Sequence, residues 1–127
     1  MPQRYYFYMT SFLISSDIYR NTHYGEKHPL NIPRVGATLD LIKAMSWYDE
    51  AKFITAPIAK PSLLKKYHSN DYVNVLIEVD EKQEIDKNQS NKYNLGTPSN
   101  PIFKGMYKRP ATSVGGSVVA AEFAFLH

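Results

Sequence analysis

Residues 24–34 read Tyr24-Gly25-Glu26-Lys27-His28-Pro29-Leu30-Asn31-Ile32-Pro33-Arg34 and hold two of the chain's 8 prolines. Each proline fixes its own φ and biases the residue before it toward extended backbone, so His28 and Ile32 are held in place. The stretch reads as a shaped loop that delivers Arg34 to the start of a helix. Just upstream, Phe12-Leu13-Ile14 is a compact apolar run bounded by polar residues, which predicts a parallel-type strand over residues 12–15. Downstream, Val35, Leu39, Ile42 and Met45 fall on one stripe of a helix over residues 35–48, widened by Leu41 and Tyr48 and expected to face the core. Phe53-Ile54-Thr55-Ala56 then reads as a second strand, stopped by Pro57. Strand, loop, helix, strand is the alternation of an α/β protein with a parallel sheet.

The rest of the chain adds helices and one more shaped loop. Ser62 is the expected cap of a short helix over residues 63–67. Tyr72, Val75, Leu76 and Val79 share one face of a helix over residues 71–81. Residues 80–91 carry no large apolar side chain except Ile85 and read as a surface or mobile segment. Residues 93–103, with two prolines, a glycine and two asparagines, have turn chemistry. A last helix is predicted over residues 110–126, with Pro110 in its tolerated first turn. Inside it, Gly115-Gly116 costs helix propensity, which points to the close approach of another backbone. Only two strands can be counted, against the ~5–6 of an average sheet, and none follows Phe125-Leu126-His127. The expectation is therefore the front part of a larger domain over residues 12–127, preceded by an extension over residues 1–11.

A length of 127 residues suits one ordinary domain. A net charge of +3 with dispersed lysines gives no basic face for a nucleic acid, so Lys104, Lys108 and Arg109 read as solvated cations. The apolar run over residues 5–14 is interrupted by Thr10 and Ser11 and is far short of the ~20 residues that span a bilayer. With 0 cysteines there is no disulfide framework and no thiolate metal site, which favours the cytoplasm.

Residue chemistry offers few sites. His23, His28, His68 and His127 form no metal-binding pair at helical spacing, and although His23 and His28 share a loop, no third ligand accompanies them. There is no nucleophile elbow, and the carboxylates at Asp49-Glu50 and Asp80-Glu81 are adjacent along the chain. Arg34 is more informative, because a cation at a helix start opposes the macrodipole and needs a reason. Either it pairs with a carboxylate or loop carbonyls, or it lines a cavity for an anion, which its planar fork suits. His28 is likewise either a hydrogen-bonded loop histidine or a pocket residue.

Several pieces in register resemble the histone deacetylase family, including its bacterial acetoin-utilization and acetylpolyamine amidohydrolase members. They are Tyr24-Gly25 through His28-Pro29, Pro33-Arg34 leading into a helix, Leu64-Lys65-Lys66-Tyr67-His68-Ser69-Asn70-Asp71-Tyr72 and Tyr93-Asn94-Leu95-Gly96-Thr97. Asn100-Pro101-Ile102-Phe103-Lys104-Gly105-Met106 and Ser113-Val114-Gly115-Gly116-Ser117 complete the series.

The resemblance implies the N-terminal part of a parallel-sheet, three-layer α/β fold of the arginase/deacetylase type. It implies a zinc-dependent amidohydrolase that removes acetyl groups from acetylated lysine or other acetylated amines. The family's metal ligands (two aspartates and a histidine) and its catalytic His-His pair have no counterparts in this sequence, so the chain alone is expected to be inactive. By the same resemblance Arg34 lines an internal product channel, and His28-Pro29 borders the substrate tunnel. Neither Asp80 nor Asp86 sits in the family's rim-aspartate pattern. The alternative is a non-catalytic binding or regulatory module on the same scaffold.

Overall fold

The computed structural model describes residues 11–22 and 24–126. Of the extension expected over residues 1–11, residues 1–10 therefore lie outside the described residues, as do His23 and His127. Strand β1 (Leu13–Ser15) pairs in parallel with β2 (Phe53–Thr55), in the register Leu13 to Phe53, Ile14 to Ile54 and Ser15 to Thr55. The connection between them carries a one-turn helix α1 (Ile18–Asn21), a 3-10 turn (Pro29–Asn31) and helix α2 (Arg34–Ala44). The segment between β1 and α2 thus contains two turns of helix. Pro29 opens the second of these, where its missing N–H needs no partner.

Helix α2 is shorter than its apolar pattern predicts, and its stripe is not buried. Leu39 and Ile42 are half-buried, whereas Val35, Leu41 and Met45 are exposed. The reason is its neighbour: one-turn α1 covers only the line along Gly36 and Asp40. A Cβ at Gly36 would lie 3.2 Å from Arg20 Cγ, so glycine lets the arginine lie flat across the helix. Arg20 then grips Asp40 with both arms, Nη2 donating to Oδ1 at 2.7 Å and Nη1 to Oδ2 at 3.0 Å. Those bonds hold the Asp40 carboxyl below its ordinary range.

The core sits elsewhere, under helix α4 (Asn70–Lys82). Val75, Val79, Leu95 and Met106 are buried together, flanked by Tyr72, Leu76, Ile85, Tyr93, Ile102 and Phe103. Ser69 caps α4, its hydroxyl accepting from Tyr72 N at 3.3 Å. The preceding helix α3 (Pro61–Leu64) begins at a proline after Lys60 and has no side-chain cap, so Ser62 lies inside the first turn and is not the cap. The polar segment after α4 folds into helix α5 (Lys87–Tyr93). Asp86 nucleates it, one carboxylate oxygen accepting from Asn88 N at 2.8 Å and Gln89 N at 3.0 Å.

Helix α6 (Lys108–Leu126) lies against the sheet and the segment that leaves β2 over residues 56–59. A Cβ on Gly115 would collide with the Pro57 carbonyl oxygen, and one on Gly116 would lie 3.1 Å from Ala56 Cβ. The glycine pair does admit another backbone. The contact is fastened by Ala59 N–H donating to the Ala111 carbonyl at 3.0 Å.

Candidate functional site

Residues 24–34 fold around His28. Its backbone is extended, and its ring Nδ1 accepts from Leu30 N at 3.1 Å, capping the Pro29–Asn31 turn. Accepting at Nδ1 leaves the ring proton on Nε2, which faces the Ser99 carbonyl oxygen at 3.4 Å. One neutral tautomer thus serves both contacts and ties this loop to residues 96–103. The ring stacks on Tyr24 at 4.8 Å, and Tyr24 in turn leans on Phe103 at 4.7 Å. Asn31 Nδ2 donates to the Glu26 carbonyl at 3.2 Å and closes the loop. His28 is therefore both a hydrogen-bonded loop histidine and a pocket residue, since it lines a cleft of about 430 Å³ with Tyr24, Lys27, Pro98 and Pro101. Pro29 is exposed at the start of the turn.

His28→Ala should lose both contacts, and exchange of the Leu30 amide should rise by roughly tenfold as the cap disappears. His28→Asn, which retains a capping acceptor but is too short for Ser99, should keep most of that protection. Equal exchange in wild type and His28→Ala would show that the ring does not hold the turn.

Arg34 begins α2 with its side chain exposed, and no ion pair or side-chain hydrogen bond engages it among the described residues. Its carbonyl accepts from Thr38 Oγ1 at 2.8 Å. A different arginine lines the adjoining cavity. Arg109, in the first turn of α6, donates from Nη1 to the Thr22 carbonyl at 2.9 Å. Its guanidinium lies 5.3 Å from the Tyr19 ring centroid and 5.4 Å from that of Tyr24. A cavity of about 180 Å³ is lined by Arg109 with Tyr19, Arg20, Leu30, Ile32 and Pro33. Arg20 is neutralised by Asp40 and Asp17, so Arg109 is the uncompensated cation there among the described residues.

Both unassigned aspartates turn out to be structural. Asp86 caps α5. Asp80 is buried on α4, where Oδ1 accepts from Gly105 N at 2.5 Å and Oδ2 from Tyr107 N at 3.3 Å and Lys108 N at 3.4 Å. It pins the turn that carries Met106, Tyr107 and Arg109. Among the described residues no three His, Asp or Glu side chains converge to hold a metal ion. The zinc implied by the resemblance thus finds no ligand set there. No described helix is long and apolar enough to cross a membrane.

A parallel strand pair with helices and two proline-shaped loops meeting at Tyr24 is an α/β arrangement of the deacetylase type. The histone deacetylase domain matches residues 28–126, and the chain belongs to that family. It is similar to the acetoin utilization protein AcuC of Bacillus subtilis, 29% identical over 113 residues that make up 89% of this chain and 29% of AcuC. Human histone deacetylase 1 is 32% identical over 103 residues, 80% of this chain and 21% of that protein. The crystal structure of a histone deacetylase homologue from Aquifex aeolicus superimposes with a TM-score of 0.83 at 34% identity, covering 87% of this chain and 30% of the homologue. The chain thus spans less than a third of the length of these curated relatives.

Proposed function

We propose that this chain is the N-terminal part, over residues 12–127, of a deacetylase that removes acetyl groups from acetylated lysine or other acetylated amines. The observation that carries the reading is the superposition on a deacetylase homologue at a TM-score of 0.83 with 34% identity. In this reading residues 24–34 form one wall of the substrate tunnel, with His28 and Pro29 at its border. Behind it Arg34 is assigned to a product channel suited to a departing carboxylate, and Arg109 adds positive charge to the cavity that Pro33 also lines. The described residues supply walls, charge and loop rigidity. They contribute no metal-held water, and no chemical step is assigned to them. The cysteine-free sequence fits a reducing, cytoplasmic setting.

The test is acetate release from an acetyl-lysine peptide and from an acetylated polyamine. The full-length protein that carries this chain should release acetate, and the 127-residue chain alone should not. If the full-length protein leaves both substrates untouched, the reading fails.

A further inference from the structure

His28 holds its turn through a nitrogen that can also take a proton. Nδ1 of the half-buried ring accepts from Leu30 N at 3.1 Å, and Nε2 faces the Ser99 carbonyl at 3.4 Å. Imidazole is the side chain whose charge ordinarily changes between about pH 5 and 8. In the charged ring both nitrogens are donors. Nδ1–H and Leu30 N–H would then face each other, whereas the charge strengthens the bond from Nε2–H to Ser99. Protonation therefore takes the cap from the Pro29–Asn31 turn and leaves the ring on the neighbouring loop. No surrounding group offers the charged ring a way to keep the cap. The other titratable side chains in its cleft are Tyr24, Glu26 and Lys27, and neither ring nitrogen has a carboxylate partner. Residues 96–103 carry no titratable group, and α6 presents only the Arg109 cation, at the Tyr24 ring.

The uncapped turn is also a wall. Leu30, Asn31, Ile32 and Pro33 supply half of the lining of the cavity that holds Arg109. We propose that His28 is a pH-sensitive latch on this wall: the neutral ring fixes residues 30–33 against the arginine-lined cavity, and the protonated ring lets them move. The cap is present at the higher pH and lost as pH falls, because only the neutral ring can accept from Leu30. Two bonds survive the change, from Asn31 N to the His28 carbonyl at 2.9 Å and from Asn31 Nδ2 to the Glu26 carbonyl at 3.2 Å, so the turn loosens without unfolding. The inference does not rest on the deacetylase reading.

The test uses the full-length protein that carries this chain, isotope-labelled in histidine and leucine. Nuclear magnetic resonance follows the His28 ring nitrogens and the Leu30 amide and methyls from about pH 8 to about pH 5. Amide exchange at Leu30 is divided by that at Leu76 in α4, which cancels the ordinary pH dependence of exchange. At the upper end Nδ1 should be bare and Nε2 protonated. As the ring titrates, the Leu30 ratio should rise roughly tenfold and its methyl signals should shift. His28→Asn, which keeps a capping acceptor and cannot titrate, should hold both constant. His28→Ala should show the raised ratio at every pH. The proposal is overturned if Nδ1 carries the proton at the upper end, if the wild-type ratio stays flat while the ring titrates, or if His28→Asn shows the same rise in acid.

Discussion

Replacing Gly115 by alanine should lower the melting temperature by roughly 10 °C, whereas the same change at Gly116 should move it by no more than about 3 °C. Both glycines lie in the middle of α6, and in both places alanine would gain about 1 kcal/mol of helix propensity. What differs is the neighbour. At Gly115 the new methyl meets the Pro57 carbonyl group and lies 3.2 Å from Ala59 N. These are backbone atoms, held in turn by the Ala59 N–H bond to Ala111. Nothing there can rotate away, so helix and strand exit must separate, at a cost of about 3 kcal/mol or more. At Gly116 the methyl meets the Ala56 Cβ at 3.1 Å, and a shift of a few tenths of an ångström relieves it. Thermal unfolding of the two variants side by side is the check. Equal melting temperatures would mean that α6 does not rest on residues 57–59 as described.

The second large effect is expected at Asp80. Its carboxylate receives three backbone N–H groups, and truncation to alanine leaves them buried or open to a poorly shaped void. The loss should be about 3 kcal/mol, read as a shift in the urea midpoint without a change in slope. Asp80→Asn is the sharper variant. It keeps the volume and one acceptor, but its amide NH₂ must face either Gly105 N or the pair from Tyr107 and Lys108, donor against donor. About half the alanine effect should remain, with faster amide exchange confined to Gly105, Tyr107 and Lys108. The neighbouring backbone has little freedom to compensate: Gly105 has φ +93°, and a Cβ there would approach Thr22 Cγ2 to 2.6 Å. An asparagine variant as stable as wild type would show that the charge on Asp80 is not what secures the turn.

These two residues mark what could be read from the chain and what could not. A glycine pair in a helix is a local anomaly, and local anomalies are legible: Gly115-Gly116 signals a close backbone approach from the sequence alone. The two strands were equally plain, because short apolar runs between turn residues have few alternatives. Asp80 gave no signal, since its partners are main-chain amides 25 residues or more away and the residue itself looks like any helix-surface acid. Helix α5 hid for a related reason. It is held by a cap at Asp86 and by the left-handed Asn94 at its end, not by an apolar stripe. The stripe on α2 had the right period, but periodicity says which residues share a face and not whether anything covers it.

Arg109 is the instructive omission at the site. The feature that singled out Arg34, a cation at a helix start, holds equally for Arg109 beside Pro110. Charge counting reads it as one more solvated cation, because what holds it in place is two tyrosine rings and a carbonyl, none of them charged. The loop over residues 24–34 was better served. Its prolines declared that His28 was held, and the structure supplies what holds it, the Leu30 amide and the Ser99 carbonyl.

The register of the sheet has a kinetic side. Leu13 pairs with Phe53, so bringing the strands together closes a loop of 40 residues at an entropic cost of about 3 kcal/mol. The buried cluster of Val75, Val79, Leu95 and Met106 is assembled from within a span of little more than 30 residues. The two halves of the fold thus differ in contact order, and the half that holds Tyr24 and His28 in its crossover is the one with the longer search.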